Sequence, residues 1–276
     1  MSNGIAVRNL TLEVGETQII RDISFDIPAG QITGLAGESG SGKTMTGMSI
    51  CGLHPKQGRR GGSIAFEGRN LLDLSEREMN GHRGKDIAMI FQDPTASLHP
   101  MLRIESQLTD HLRFHEGVSR RAARTRAISL LGSLQVPDPS SALRKYPHQF
   151  SGGQLQRIAI ASAMICNPKV LIADEPTTAL DVTVQAGILR LLRGLCDEFG
   201  LAILLVSHDL GVMSAVADTL IVMRHGKIVE SGTRFDVITS PQEPYTRALI
   251  ESLPSVVSPT VDSPAQTSTA TRFEAK

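Results

Sequence analysis

Residues Gly37-Glu38-Ser39-Gly40-Ser41-Gly42-Lys43-Thr44 fit Gly-x-x-x-x-Gly-Lys-[Ser/Thr], a P-loop, and constrain the fold more than any other stretch. The short apolar run Ile32-Thr33-Gly34-Leu35-Ala36 before it reads as a buried strand. The run 45–53 after it spaces apolar residues at 45, 48 and 51 or 52, as a helix would. Strand, glycine-rich turn and helix is the context in which such a loop cradles a polyphosphate. Glycines let successive backbone N–H groups turn inward, and the helix start adds its positive dipole end. Lys43 is expected to reach β- and γ-phosphate oxygens, and the Thr44 hydroxyl to ligate Mg²⁺.

A second carboxylate motif lies downstream. Val170-Leu171-Ile172-Ala173 is continuously apolar, the pattern of a parallel strand covered on both faces. Asp174-Glu175 follow at its carboxyl end, the edge where open α/β sheets bind ligands. Asp174 would hold Mg²⁺ and Glu175 would polarise an attacking water; the alternative is a strand-end pair that caps the next helix. Ser151-Gly152-Gly153-Gln154 opens a helix, as a second anion-binding nest or as a plain turn with a serine cap. His208 follows an apolar strand ending at Val206-Ser207, so it reaches the same sheet edge one strand over and can hydrogen-bond a γ-phosphate. His111 and His115 stand four apart with no carboxylate between them and read as a solvated helix face. So does the basic run Arg120, Arg121, Arg124 and Arg126.

The remaining pattern supplies a scaffold. Residues 5–12 and 19–27 alternate apolar and polar, as antiparallel strands covering the P-loop sheet would; a shorter pair is expected at 62–70 and a buried strand at 87–91, ending at Gln92. From 95 to 164 the period turns helical. Ser119 caps a helix carrying Ala123, Ala127, Leu130, Leu131 and Leu134, ended by Pro137 and Pro139, and another helix starts near Gln154. Sheet and helix then alternate, with a hairpin turn at His225-Gly226 and short helices at 235–239 and 244–253. Residues 255–276 are rich in Ser, Thr, Pro and Ala and are expected to be a disordered tail.

Composition excludes several function classes. Lys+Arg 28 balances Asp+Glu 28, tryptophan is absent and aromatics are 4%, so nothing argues for nucleic acid. No apolar run reaches the length of about 18 residues that a membrane span needs, and residues 1–4 lead into a strand rather than a signal peptide. Cys51, Cys166 and Cys196 lie far apart in apolar patterns, as reduced core thiols do.

The P-loop, Gln92, Ser151–Gln154, Asp174-Glu175, Thr178-Ala179-Leu180-Asp181 and His208 occur in an order that resembles the ATP-binding subunits of ABC transporters, over residues 5–253. Phe150-Ser151-Gly152-Gly153-Gln154 is similar to that family's signature, with Phe for the usual Leu. Phe91-Gln92-Asp93-Pro94-Thr95-Ala96-Ser97-Leu98-His99-Pro100, Tyr146-Pro147-His148-Gln149-Phe150, the stretch 175–185 and Pro244-Tyr245-Thr246 are similar to its oligopeptide, dipeptide and nickel importers.

The resemblance implies an α/β fold: a P-loop NTPase core of mostly parallel sheet with an antiparallel β subdomain, in an ATP-binding domain of residues 1–254. An α-helical subdomain is inserted at 95–165. It further implies two such domains facing head to tail, each ATP lying between one P-loop and the other's signature turn. Glu175 would be the general base, His208 would steady the γ-phosphate and water, Gln92 would sense Mg²⁺ and signal to the membrane subunits, and Asp181 would link the two sites. The partners so implied are a second ATP-binding subunit, two membrane permeases and an extracytoplasmic binding protein, at the cytoplasmic face of the membrane. Two departures stand out. Val14-Gly15 occupy the place of the usual adenine-stacking aromatic, and no cysteine follows Cys196, so no iron–sulfur cluster is expected. The alternatives are a soluble ABC-type ATPase outside transport, such as a phosphonate-lyase-complex subunit, and a P-loop kinase, which leaves Ser151–Gln154 without a purpose.

Overall fold

The computed structural model describes residues 4–252 except Lys56 and Ala179; the expected tail at 255–276 and residues 1–3 lie outside the described residues. The chain opens with β1 (Ile5–Val14) and β2 (Thr17–Ile27), then enters β3 (Ile32–Ala36), the P-loop and α1 (Lys43–Ile50). β4 (Arg59–Phe66), the two-residue β5 (Arg69–Asn70), α2 (Glu76–His82) and β6 (Ile87–Ile90) follow. Five helices come next: α3 (Pro94–Ser97), α4 (Ile104–Glu116), α5 (Arg120–Ser133), α6 (Pro139–Ala142) and α7 (Gly152–Met164). The last third runs β7 (Val170–Asp174), α8 (Val182–Phe199), β8 (Ala202–Val206), α9 (Leu210–Val216), β9 (Thr219–Arg224), β10 (Lys227–Thr233), α10 (Arg234–Thr239) and α11 (Pro244–Glu251).

These strands form two sheets. One is antiparallel, in the order β2-β1-β4-β5; the other runs β10-β9-β3-β8-β7-β6, parallel except at the β10 edge. Strand alternation assigns each apolar residue of the second sheet to one of two cores. Leu35, Ile172, Leu204 and Ile221 face the antiparallel sheet and α1. Ala36, Ala173, Leu205 and Val222 face the helices that follow β6 and β7. Covered on both faces, β3, β7 and β8 are buried along their whole length, which is why, Thr33 and the terminal Asp174 apart, they carry no polar alternation.

In β1 the inward phase changes between Val7 and Leu10, where the pairing register shifts. Asn9 sits in the left-handed region (φ 49°) and makes the bulge. Opposite it, Gly62 has φ +86°, and a Cβ there would lie within van der Waals overlap of the Asn9 carbonyl oxygen, so glycine is required.

Four expectations need correction. α1 stops at Ile50, and its buried face is Thr46, Gly47, Ser49 and Ile50, with Met45 and Met48 half-buried, because small residues are needed where it packs closely on the sheet. Pro139 begins α6 at its first turn, where the missing N–H costs nothing, rather than only ending α5. His111 and His115 are not a solvated face: both are half-buried, His111 Nε2 is 3.2 Å from the Gly84 carbonyl oxygen, and the two rings meet edge to face. Arg124 and Arg126 pair with Glu105 (3.4 Å) and Glu116 (2.9 Å), leaving only Arg120 and Arg121 as the exposed half of the basic run. The three cysteines are free and buried, and burial pushes the Cys51 thiol up to about 12.

Candidate functional site

β3, β8 and β7 run parallel and side by side, with Leu35 and Asp174 both in register with Val206, so their carboxyl ends share one edge. β3 delivers the loop 37–44 there, β7 delivers Asp174 and Glu175, β8 delivers His208, and β6 delivers Gln92. Residues spread over more than half of the sequence meet because of strand order.

The loop closes on itself. Gly37 has φ +145°, and any Cβ there would overlap the Met223 carbonyl oxygen of β9. The Lys43 ammonium donates to the carbonyl oxygens of Gly37 (2.7 Å) and Glu38 (2.8 Å). Burial lowers the Lys43 pKa, while the carboxylates of Glu175, Asp174 and Glu38 work against that shift. Ser41 Oγ is buried with no hydrogen-bond partner among the described residues. A buried cation whose hydrogen bonds go to carbonyl oxygens, beside a buried hydroxyl with no partner among the described residues, is a site that suits an anion.

Thr44 Oγ1 donates to Asp174 Oδ1 at 3.1 Å. Asp174 is 3% exposed. Burial raises its pKa, the Thr44 bond opposes this, the Glu175 charge adds to it and Lys43 opposes it, leaving it raised. A hydroxyl and a buried carboxylate side by side are hard oxygen donors of the type that Mg²⁺ takes.

Glu175 adopts φ 46°, unusual for a side chain of its size, with its N–H bonded to the Val206 carbonyl (2.8 Å). Three donors converge on its carboxylate: His208 Nδ1 on Oε1 (3.0 Å), Thr178 Oγ1 on Oε2 (2.9 Å) and Gln92 Nε2 on Oε2 (3.1 Å). Burial works to raise its pKa, but the His208 and Thr178 bonds and the charges of His208 and Lys43 outweigh it, and the net shift is downward. The group is therefore ionised at neutral pH and able to accept a proton.

The structure thus brings together Lys43, Thr44, Gln92, Asp174, Glu175 and His208. It keeps Ser151–Gln154 and Asp181 apart from them. Ser151 caps α7 and forms a reciprocal capping box with Gln154, on the surface. Asp181 Oδ1 caps α8 through the Val184 N–H (3.0 Å). Among the described residues, no hydrogen bond or ion pair joins either motif to loop 37–44. Val14 ends β1, paired with Thr17, and Gly15 and Glu16 form the β1–β2 turn.

Two side chains of the site were given no role by sequence reasoning. Thr178 lies three residues past Glu175, after a proline, and the Thr178 N–H to Glu175 carbonyl bond (3.2 Å) closes the turn that such a spacing suggests. Tyr245, whose hydroxyl accepts from the Glu38 N–H at 3.0 Å, comes from 207 residues away and has no local signal.

Comparison with known proteins bears on this geometry. Residues 20–178 match the family model described as ABC transporter. The chain is 46% identical over 260 residues to the dipeptide transport ATP-binding protein DppD of Bacillus subtilis, covering 92% of this chain and 78% of that one. It is 45% identical over 240 residues to the oligopeptide transport ATP-binding protein OppD of Salmonella typhimurium, covering 87% and 72%. Among solved structures, a dimeric post-hydrolysis state of the ATP-binding cassette MJ0796 bound to ADP and Pi superposes with TM-score 0.73 at 28% identity, covering 83% of this chain and 98% of that one. CbiO1 of Clostridium perfringens superposes with TM-score 0.74 at 25% identity, covering 86% and 90%.

Proposed function

The chain belongs to the ABC transporter family, and from that membership we propose that it is the ATP-hydrolysing subunit of an importer of dipeptides or oligopeptides. The relatives above name those two cargoes, so the peptide branch of the expectation is kept and the nickel branch set aside. The observation that carries the hydrolytic role is the convergence of three donors on Glu175 beside the Thr44–Asp174 pair.

In this reading the 37–44 loop and Lys43 bind the β- and γ-phosphates, with the Lys43 ammonium keeping the Gly37 carbonyl while it takes on phosphate oxygens. Thr44 and Asp174 would hold Mg²⁺, which when bound neutralises charge developing on the phosphates. Glu175 orients the attacking water and takes its proton, His208 fixes that carboxylate and reaches the γ-phosphate, and Gln92 reports the state of the site to the helices after β6. Ser151–Gln154, at the exposed start of α7, would serve the triphosphate on a second ATP-binding subunit, identical or related, and Asp181 would link the paired sites. The dimeric state of MJ0796 supports that arrangement. Two permeases and an extracytoplasmic binding protein complete the assembly. No helix of the described residues is long and apolar enough to cross a membrane. As the ATP-hydrolysing partner of the permeases, the subunit would sit at the cytoplasmic face and drive them through closure and reopening of the pair.

Reconstitution with the permeases in vesicles tests this. Labelled dipeptide uptake should require ATP on this subunit's side and vanish in the Glu175→Gln protein; ATP-driven uptake that survives the substitution contradicts it.

A further inference from the structure

One peptide group in the loop is held from both sides. The carbonyl oxygen of Gly37 accepts from Lys43 Nζ at 2.7 Å, and the N–H of the same peptide, on Glu38, donates to the Tyr245 hydroxyl at 3.0 Å. Across a trans peptide these two groups point in opposite directions. Fixing the N–H therefore fixes where the carbonyl points, and with it the oxygen that receives the lysine.

Tyr245 is itself anchored. It is the second residue of α11, whose start is tied to β10 by the Glu230 carboxylate, which accepts from the N–H groups of Gln242 (2.8 Å) and Glu243 (3.3 Å). The Arg224 guanidinium lies over the Tyr245 ring, 4.7 Å from its centre. The β9–β10 turn adds a second brace, because the Gly226 N–H donates to the Ser41 carbonyl at 3.0 Å.

We propose that Tyr245 is a positioning residue of the nucleotide site, acting on Lys43 through the Gly37–Glu38 peptide group. The proposal rests on the ATPase reading above and adds to it a residue from the far end of the domain. A hydroxyl that stiffens the empty loop lowers the ordering cost of binding. It also polarises the carbonyl that shares Lys43 with the incoming phosphates.

The test is a double-mutant cycle on the full chain, reading affinity for trinitrophenyl-ATP with Mg²⁺. Tyr245→Phe keeps the ring on Arg224 and removes only the hydroxyl. In the otherwise native protein it should raise Kd about threefold to tenfold, the range for one net hydrogen bond. In a Lys43→Ala background the same change should raise Kd by less than about twofold, because the residue it positions is gone. An unchanged Kd in the native background or an equal rise in both backgrounds overturns the proposal. Native protein that binds no nucleotide overturns the proposal together with the reading beneath it, whereas the other outcomes leave that reading intact.

Discussion

His208 Nδ1 lies 3.0 Å from Glu175 Oε1, each residue just past the carboxyl end of one of two neighbouring parallel strands, β8 and β7. With the Thr178 hydroxyl and Gln92 amide on the other carboxylate oxygen, Glu175 is held from three sides before any substrate arrives. A general base oriented in advance needs no reorganisation at the moment of reaction.

Replacing the proposed base is the first case. Glu175→Gln keeps an acceptor oxygen for His208 but cannot take a proton, so turnover should fall by about 10²–10⁴-fold. Binding of ATP should persist, and the variant should accumulate as an ATP-bound pair by gel filtration. Normal turnover in this variant would remove Glu175 from the mechanism.

Thr178 makes a pH-dependent case. Its hydroxyl helps to hold the Glu175 carboxyl below its ordinary range. Thr178→Ala should let that pKa rise, moving the acid limb of kcat/KM to higher pH, while Thr178→Ser restores it. Turnover at neutral pH, where the carboxylate is still ionised, should fall by about tenfold or less. A pH profile that does not move contradicts the role.

Asp174 predicts a trade between stability and function. Its pKa is raised in the fold, chiefly by burial, so its protonated form is favoured. Stability from such a group is present below its unfolded pKa of about 3.9 and lost as pH rises through the folded value. At neutral pH the charge therefore burdens the nucleotide-free protein. Asp174→Asn should raise Tm there while abolishing Mg²⁺-dependent hydrolysis, and the gap in Tm should close as pH falls toward 4. A lower Tm at neutral pH would refute this account.

The bulge in β1 is tested at Gly62. Alanine there must adopt φ +86° and overlap the Asn9 carbonyl. Gly62→Ala should cost at least about 1–3 kcal/mol, read as a lower urea midpoint with unchanged nucleotide affinity. No change in midpoint would mean that the strand pair can shift without penalty.

The site was legible wherever one short run carried both its geometry and its chemistry. Lys43 and Thr44 follow a glycine pattern that needs a strand before it and a helix after it, and Asp174 and Glu175 end a run apolar enough to be a central strand. Helix α8 was readable at both ends because its buried positions, Ile188, Leu189, Leu192, Leu195 and Cys196, keep helical spacing between the Asp181 cap and Gly200. What escaped depends on partners distant in sequence. Asn9 breaks the β1 alternation only because Gly62 lies across from it. His111 is half-buried beside Gly84, a residue 27 positions away, and against the His115 ring. Tyr245 enters the site through a backbone amide, and a backbone amide leaves no mark in the sequence.

In the proposed reading a second subunit completes the site, and within one chain Ser151–Gln154 and loop 37–44 share no hydrogen bond or ion pair among the described residues. ATP hydrolysis per chain should be measured together with molecular mass in the same solution. Protein concentration should span the pairing transition, with and without the related ATP-binding subunit. Turnover should track the paired fraction and vanish in the monomer; a verified monomer that hydrolyses ATP at the full rate would contradict the account.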